Sequence, residues 1–276
     1  MTTRRVTSYE LSMTSDRKLV EYRAEGGVAW ITLANPPANA YSLEMMRQLD
    51  AAILDARFDD GVHVIVIAGA GEKFFCAGAD IAMLNAVTPG FKYNFCLHAN
   101  ETLSRLEQTP KLVIAAINGH CVGGGLEIAL ACDLRVARQG AGKMGLPEVA
   151  LGVLPGTGGT QRLARLVGKS RAIELMVTGE SFPFERGVEL GLVNHLFESE
   201  GFAERVATYA KQFCPPGRAA LAVGRIKRAV QTGWEVGLAD GLALERELQQ
   251  QLFQSGDARE GIAAYVEKRK PNFRGE

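Results

Sequence analysis

The chain has 276 residues, 47% of them hydrophobic and 22% charged, a composition typical of globular proteins. Its 31 Lys and Arg residues balance its 31 Asp and Glu residues, so no net charge draws it to nucleic acid or to an anionic membrane. The longest uncharged stretch, Leu112 to Leu126, contains Asn118, His120 and three consecutive glycines, and it ends at Glu127, too early to cross a bilayer. We therefore predict a protein with neither a membrane span nor a nucleic-acid partner.

The cysteines and histidines indicate no disulfide framework and no metal site. The five cysteines lack CxxC spacing, and the four histidines include no HxxxH pair. Reduced thiols are typical of a cytoplasmic protein, more often bacterial cytoplasm than a mitochondrial matrix. Residues 1–19 are polar and lack the apolar segment of a secretory signal, so we predict a flexible tail there.

The first half of the chain predicts strands alternating with helices. Val28–Leu33 is a β-rich run that Asn35-Pro36-Pro37 ends, because proline cannot donate to a sheet ladder. Ser42 is a predicted N-cap, and apolar residues at helical spacing follow it as far as Phe58. Two further apolar runs predict buried strands, with a helix from about Phe91 to Gln108 between them. These strands cover 63–68 and Leu112–Ile117.

After Gly168 the sequence shows no strand pattern, and we predict only helices. They cover Lys169–Thr178, Phe184–Leu190, Phe202–Phe213, Arg218–Gln231, Val236–Phe253 and Asp257–Lys270. The predicted fold class is therefore α/β, with a core at 20–213, a hinge at Cys214-Pro215-Pro216-Gly217 and a helical C-terminal region at 214–276.

Glycines gather in loops that could carry chemistry. Gly69 and Gly71 begin like a dinucleotide-binding fingerprint, but Phe74 stands at the third glycine position and no phosphate-binding loop motif occurs elsewhere. The segment from Phe74 to Ile81 is rich in small residues, which either form a tight turn or leave backbone N–H groups open to a carbonyl oxygen. Three glycines at 123–125 similarly uncover N–H groups at a helix N-terminus.

Two glutamates lie in these glycine-rich settings. Glu127 falls in the first turn after the three glycines, where it could cap the helix or act in catalysis. Glu148 lies in the apolar segment Met144–Arg162, where it is either a solvated loop residue or a functional carboxylate. Two such carboxylates beside two donor loops indicate acid/base chemistry on a water or a carbon acid, with an oxyanion stabilised by backbone N–H groups. The residues alone do not name the substrate.

The motifs occur together in the order of a known family. They are Phe-x-Ala-Gly-Ala-Asp-Ile at 75–81, Asn-Gly-x-x-x-Gly-Gly-Gly-x-Glu at 118–127, Pro-Glu at 147–148 followed by Pro-Gly-x-Gly-Gly-Thr-Gln-Arg-Leu at 155–163, and the stretch from Arg259 to Phe273. From about Val20 to Phe273 the chain resembles the crotonase (enoyl-CoA hydratase/isomerase) superfamily. The resemblance implies a spiral of ββα units, with C-terminal helices that form trimers and commonly dimers of trimers.

The resemblance also implies an activity and a set of site residues. An enoyl-CoA hydratase of this family adds water across the 2,3 double bond of an enoyl-CoA to give a 3-hydroxyacyl-CoA. The backbone N–H groups of Ala79 and Gly124 match the donors that hold the thioester oxygen. Glu148 matches the residue that handles the proton at C2, Glu127 the residue that activates water, and Gly156 a position whose backbone helps hold the water or Glu148.

For coenzyme A, which the substrate itself carries, the resemblance implies contacts from Ala77, Asp80 and Ile81. Lys268 matches a lysine that reaches the CoA phosphate of a neighbouring subunit, and no further cofactor is implied. Within the superfamily, enoyl-CoA isomerisation, another acyl-CoA lyase activity and the reverse dehydration stay open. More distant alternatives are a catalytically silent CoA-binding subunit and a nucleic-acid-binding homologue. The neutral charge disfavours the nucleic-acid-binding alternative.

Overall fold

The structure is a computed structural model that describes residues 17–276. Two sheets and the helices around them make up this part of the chain. The strands are β1 (Val20–Glu25), β2 (Val28–Leu33), β3 (Val64–Gly69), β4 (Phe74–Cys76), β5 (Leu112–Ile117), β6 (His120–Val122), β7 (Leu134–Arg138), β8 (Lys143–Gly145), β9 (Phe182–Pro183) and β10 (His195–Phe197).

The helices lie between these strands and after them. They are α1 (Leu43–Phe58), α2 (Ile81–Ala86), α3 (Pro89–Gln108), α4 (Gly124–Leu130), α5 (Gly159–Val167), α6 (Lys169–Thr178), α7 (Phe184–Glu189), α8 (Phe202–Lys211), α9 (Ala220–Trp234), α10 (Leu238–Phe253) and α11 (Gly256–Val266). A single 3₁₀ turn, Glu148–Leu151, follows β8.

Successive strands enter the two sheets in turn. One sheet has six strands in the order β1-β2-β3-β5-β7-β10, and the other has four in the order β4-β6-β8-β9. The pairs β2–β3, β3–β5 and β5–β7 of the large sheet are parallel, as are β4–β6 and β6–β8 of the small one. Each strand of the large sheet from β3 to β7 is therefore followed by one of the small sheet and then by helical structure. This alternation is the predicted spiral of ββα units.

The large sheet is covered on both faces. Side chains that alternate along β3 divide between two apolar clusters, because successive residues of a strand point to opposite faces. Ile65 and Ile67 pack in the cluster that includes α1 and α3, whereas Val64 and Val66 pack in the cluster of α8. Burial on both faces explains why β3 and β5 are continuous apolar runs in the sequence.

Four predicted elements match the structure closely. Strands β2 and β5 have the predicted bounds, and β3 is displaced by one residue. Helix α1 begins after Ser42, whose hydroxyl accepts a hydrogen bond from the N–H of Met45 at 3.3 Å, as expected of an N-cap.

The prediction that no strand follows Gly168 is wrong. Strand β9 pairs with β8, and β10 pairs with β7 at the edge of the large sheet. With two and three residues, these strands are too short to show a periodic pattern, and their neighbours in the sheet determine their conformation. The sequence predicts a last helix that continues to Lys270, but this helix ends at Val266, because Lys268 adopts a positive φ of 56° that a helix cannot contain.

Residues on both sides of the predicted hinge are packed on the core. Cys214 is buried in the same apolar cluster as α8. Farther on, the Lys227 ammonium of α9 lies 2.8 Å from the Asp133 carboxylate and donates to the carbonyl of Lys111 at 3.0 Å. The division at residue 214 stays a prediction.

Of the predicted tail, residues 1–16 lie outside the described residues. Leu19 is buried, and its N–H donates to Oε1 of Gln48 at 2.7 Å, so the packed structure has already begun there.

Candidate active site

Glu127 lies in the first turn of α4, a helix whose residues are all buried. Its Oε1 accepts two hydrogen bonds of 2.7 Å, from the backbone N–H groups of Thr157 and Gly159. Burial raises the pKa of this carboxyl, and the two N–H donors oppose the rise because they stabilise the ionised form. The two hydrogen bonds thus fix the orientation of the carboxylate and replace the contacts with water that burial removes.

The loop that supplies these two donors is shaped by glycine and by a partly buried ion pair. Gly158 has a φ of 106°, which a residue with a side chain rarely adopts. The Arg162 guanidinium donates to the Thr157 carbonyl at 3.1 Å and forms a fork with both oxygens of Glu107, at 2.8 and 2.6 Å. Two-point binding of this kind fixes direction as well as distance, so it holds the loop in place under Glu127.

Gly156 precedes these donors in the same loop. Its carbonyl accepts a hydrogen bond from the Asn100 side chain of α3 at 3.2 Å, and a Cβ at this position would lie 3.5 Å from Cys96 Sγ. This bond ties the loop to α3. The predicted hold on water or on Glu148 through the Gly156 backbone stays a prediction.

Glu148 opens the 3₁₀ turn after β8 and is partly buried. Its Oε2 is buried without a hydrogen-bond partner among the described residues. Burial, and to a smaller extent the negative charge of Glu127, raises the pKa of this carboxyl to about 7. A Cβ on Gly123 would lie 3.1 Å from Glu148 Oε1, so the glycine lets α4 begin directly beside the second carboxyl. The two glutamates are therefore neighbours in space.

Ala79 and Gly124, the predicted oxyanion donors, lie on two loops that touch. Ala79 forms a parallel bridge with Tyr41 in which Tyr41 donates to the Gly78 carbonyl and Asp80 donates to the Tyr41 carbonyl, each at 2.9 Å. The N–H of Ala79 takes no part in these bonds. A Cβ on Gly78 would lie 3.0 Å from the nitrogen of Gly124. The N–H of Gly124 belongs to the first turn of α4, so it has no hydrogen-bond partner within the helix.

The residues predicted to contact coenzyme A divide into two places. Ala77, Asp80 and Ile81 lie together before and at the start of α2; the Asp80 carboxylate caps this helix by accepting the N–H of Met83 at 3.1 Å, and Ile81 is exposed. Lys268 lies just after α11 and is also exposed. Ala77 and Asp80 thus border the loop of Ala79, whereas Lys268 belongs to the C-terminal region.

Several residues that shape the site carry no clear signal of their role in the sequence. Thr157 and Gly159 supply the donors to Glu127, and Tyr41 packs against Gly124. The only available signal was the pair of glycines at the start of α5, because uncovered N–H groups at a helix N-terminus commonly serve a carboxylate. The contacts of Tyr41 join residues more than 30 positions apart, which no local pattern reveals.

No group of three or more His, Cys, Asp or Glu side chains within residues 17–276 could hold a metal ion. Over the same residues, no helix is both long and apolar enough to cross a membrane.

Comparison with known proteins gives the family. The sequence pattern of the enoyl-CoA hydratase/isomerase family matches residues 23–276. The chain belongs to this family. It is 37% identical to a short-chain-enoyl-CoA hydratase of Clostridium acetobutylicum, over 89% of this chain and 94% of that one. It is also 35% identical to a crotonyl-CoA hydratase of Syntrophomonas wolfei, over 90% of this chain and 95% of that one.

Solved structures agree with this family membership. The crystal structure of an enoyl-CoA hydratase from Geobacillus kaustophilus superposes with a TM-score of 0.92 at 46% identity, covering 95% of this chain and 98% of that one. An enoyl-CoA hydratase from Bacillus anthracis superposes with a TM-score of 0.89 at 34% identity, covering 94% and 100%. The crotonase-type fold predicted from the motifs is confirmed.

Proposed function

We propose that this member of the enoyl-CoA hydratase/isomerase family is an enoyl-CoA hydratase. The observation that carries the proposal is the pair of glutamates beside two backbone N–H groups. Glu127 is oriented by two donors at 2.7 Å, and Glu148 has an unpartnered buried oxygen and a pKa of about 7. A carboxyl that titrates near neutral pH can both give and take a proton under working conditions.

In hydration, the ionised Glu127 takes a proton from water as the water oxygen bonds to C3 of the enoyl group. The thioester then carries an enolate, and Glu148 gives its proton to C2. Glu127 gains one proton from water and Glu148 loses one to C2, so the pair carries a single proton before the reaction, on Glu148, and after it, on Glu127. The reverse dehydration uses the same singly protonated pair.

The N–H groups of Ala79 and Gly124 donate hydrogen bonds to the thioester oxygen and stabilise the negative charge that develops on it. Donors held by the protein before the reaction lower its barrier, because they need not reorganise as charge develops; one such donor is typically worth about 3 kcal/mol. The touching loops at Gly78 and Gly124 support this assignment, since they bring the two donors to one place.

Replacing either glutamate with glutamine tests the mechanism. We expect Glu127→Gln and Glu148→Gln each to reduce the kcat of crotonyl-CoA hydration about a thousandfold, while KM changes little because the amide keeps the side-chain shape. The matched control is Glu101→Gln, which changes an exposed glutamate of α3. Wild-type turnover in either site variant would refute the two-carboxylate mechanism. A protein that isomerises 3-enoyl-CoA without adding water would instead be an isomerase.

We also propose that Lys268 binds a CoA phosphate of a neighbouring subunit, with Ala77, Asp80 and Ile81 along the adenine side. Exposure of the lysine at the end of α11 supports this role. Lys268→Ala should raise KM for crotonyl-CoA about tenfold by losing one charged contact, with kcat unchanged. It should not affect a crotonyl-pantetheine thioester, which lacks the phosphates. Lys270→Ala, two residues away and also exposed, is the control; equal effects of both variants would contradict a specific contact.

A homotrimer, or a dimer of trimers, would supply that neighbouring subunit. Helices α9 to α11 support this proposal because they expose large apolar side chains, among them Ile226, Val230, Trp234 and Leu238. Such surfaces are unusual on a monomer and typical of subunit interfaces. The cytoplasmic location and the absence of a further cofactor stay predictions.

A further inference from the structure

Tyr41 touches three loops of the candidate active site although no part of it is expected to contact the substrate. Only 2% of its surface is exposed. Its backbone N–H and carbonyl bond to Gly78 and Asp80, the residues on either side of Ala79. The backbone of Tyr41 therefore sets the position of the first oxyanion donor.

The ring of Tyr41 sets the position of the second donor. It lies directly against Gly124, where a Cβ would overlap the Tyr41 hydroxyl and the ring edge. On another side, the ring packs against Phe95 of α3, with 5.8 Å between ring centroids. The absence of a side chain at Gly124 therefore leaves room for the Tyr41 ring. The ring in turn limits how far the start of α4 can move.

The hydroxyl of Tyr41 is connected to Glu127 through Thr157. Tyr41 Oη lies 3.0 Å from Thr157 Oγ1, and both residues are buried. Thr157 donates its backbone N–H to Glu127 Oε1, and its hydroxyl faces the same carboxylate, where it opposes the rise in the Glu127 pKa that burial causes. An ionised carboxylate only accepts, so the Thr157 hydroxyl donates to Glu127 and accepts from Tyr41.

We propose that Tyr41 is a positioning residue, which acts through Thr157 to keep Glu127 oriented and ionised while its ring and backbone hold the two oxyanion donors in place. The proposal rests on the proposed role of Glu127 as the base that activates water. Removing the Tyr41 hydroxyl leaves the Thr157 hydroxyl free to rotate away from Glu127. The ionised form of Glu127 then loses a hydrogen bond, and its pKa rises.

Other groups also act on the titration of Glu127, and the test must leave them unchanged. Arg162 of α5 lowers its pKa, and Glu148 in the 3₁₀ turn is electrostatically coupled to it. Burial, and to a smaller extent the Glu127 charge, raises the pKa values of Cys96 of α3 and of Tyr41 itself. Tyr41→Phe keeps the ring and removes one oxygen atom, so none of the charged groups is replaced.

The test compares Tyr41→Phe, Thr157→Val and Thr157→Ser in the full chain. We expect Tyr41→Phe and Thr157→Val to lower kcat roughly tenfold, as expected for a lost hydrogen bond to a charged group, with KM nearly unchanged. The acid limb of the kcat/KM profile should move upward by about half a pH unit to one unit, because the base now ionises at higher pH. Thr157→Ser keeps the hydroxyl and should retain the wild-type acid limb.

The matched control is Thr102→Val, which changes a buried threonine of α3 whose hydroxyl has no partner among the described residues. It should leave both kcat and the acid limb unchanged. If Tyr41→Phe keeps the wild-type profile, or loses activity without moving the acid limb, the positioning role is refuted and the residue is only structural.

A second readout separates this proposal from the proposed function. The infrared carboxylate band of Glu127, isolated as the difference between wild type and Glu127→Gln, can be titrated without any substrate. Tyr41→Phe should raise the midpoint of that band whether or not the protein hydrates crotonyl-CoA. An unchanged midpoint would overturn the role of Tyr41, whereas a raised midpoint in a protein without hydratase activity would overturn only the proposed function.

Discussion

The buried position of Glu148 should reduce the stability of the protein above neutral pH, and Glu148→Gln should recover that stability. Burial and the nearby Glu127 charge raise the pKa of Glu148 from its ordinary 4.5 to about 7 in the folded protein. The unfolded chain has no such environment. The folded and unfolded states therefore bind the Glu148 proton with different affinity, and stability must depend on pH.

The sign follows from which state releases the proton first. Below pH 4.5 the carboxyl is protonated in both the folded and the unfolded state, so it does not change the free energy of unfolding. As the pH rises from 4.5 to 7, the unfolded state ionises while the folded state keeps its proton, so unfolding becomes progressively more favourable. Above pH 7 the folded carboxyl ionises as well, and the loss is complete. The glutamine side chain has no such transition.

The two pKa values differ by about 2.5, which corresponds to an upper limit of about 3.4 kcal/mol at 1.36 kcal/mol for each pH unit. Glu148 is only partly buried, so water screens its charge, and we expect about 1 to 2 kcal/mol. For a chain of this length, that change should raise the melting temperature by roughly 3 °C.

The measurement is thermal unfolding of wild type and Glu148→Gln between pH 5 and pH 8, at one protein concentration because assembly also affects stability. The advantage of the variant should be small at pH 5 and grow toward pH 8. Glu101→Gln, at an exposed site, should show no such growth. A difference between Glu148→Gln and wild type that is the same at every pH would refute a raised pKa for Glu148.

Two further predictions concern packing. Lys227→Met should lower the free energy of unfolding by about 3 kcal/mol in urea titrations, because it leaves the Asp133 carboxylate buried without its cation; adding Asp133→Asn should recover part of the loss, and full stability of the single variant would contradict the reasoning. Gly124→Ala should reduce hydration about a hundredfold, because its Cβ overlaps Tyr41 and would displace the N–H proposed as an oxyanion donor. Gly90→Ala, in the first turn of α3 with open space around it, should keep full activity.

The sequence predicts the elements whose signals are local. Strands β2 and β5 are recognisable because buried apolar runs are bounded by turn residues, and α1 because Ser42 caps it. Strand β7 escapes the same reasoning because Arg135 interrupts its apolar pattern. In the structure this arginine is buried and donates to the carbonyls of Ala129, Cys132 and Leu192. Of these partners Leu192, 57 positions away, is one that only the fold brings to it.

In the candidate site, too, some residues have a local signal in the sequence and others are recognised only from contacts formed in the fold. Glu127 and Glu148 stand out in the sequence because carboxylates are unusual among glycines and apolar residues. The residues that orient Glu127 do not stand out, since Thr157 is an ordinary threonine and Arg162 an ordinary helical arginine until Glu107, 55 positions away, pairs with it. Function-bearing groups can be found from their residue type, whereas their supports depend on contacts across the fold.

The two glutamates differ in how freely their surroundings can change. Glu127 belongs to a helix in which every residue is buried, so a larger side chain there must displace the core. Glu148 belongs to a short turn that ends at the exposed Leu151, and the exposed side chains of Val153 and Leu154 follow it. Variation during evolution, or in a library built for new acyl groups, can therefore accumulate around Glu148 while the Glu127 helix stays constant. Of the two glutamates proposed to act in catalysis, the surroundings of Glu127 are fixed by the fold, whereas those of Glu148 are open to adaptation.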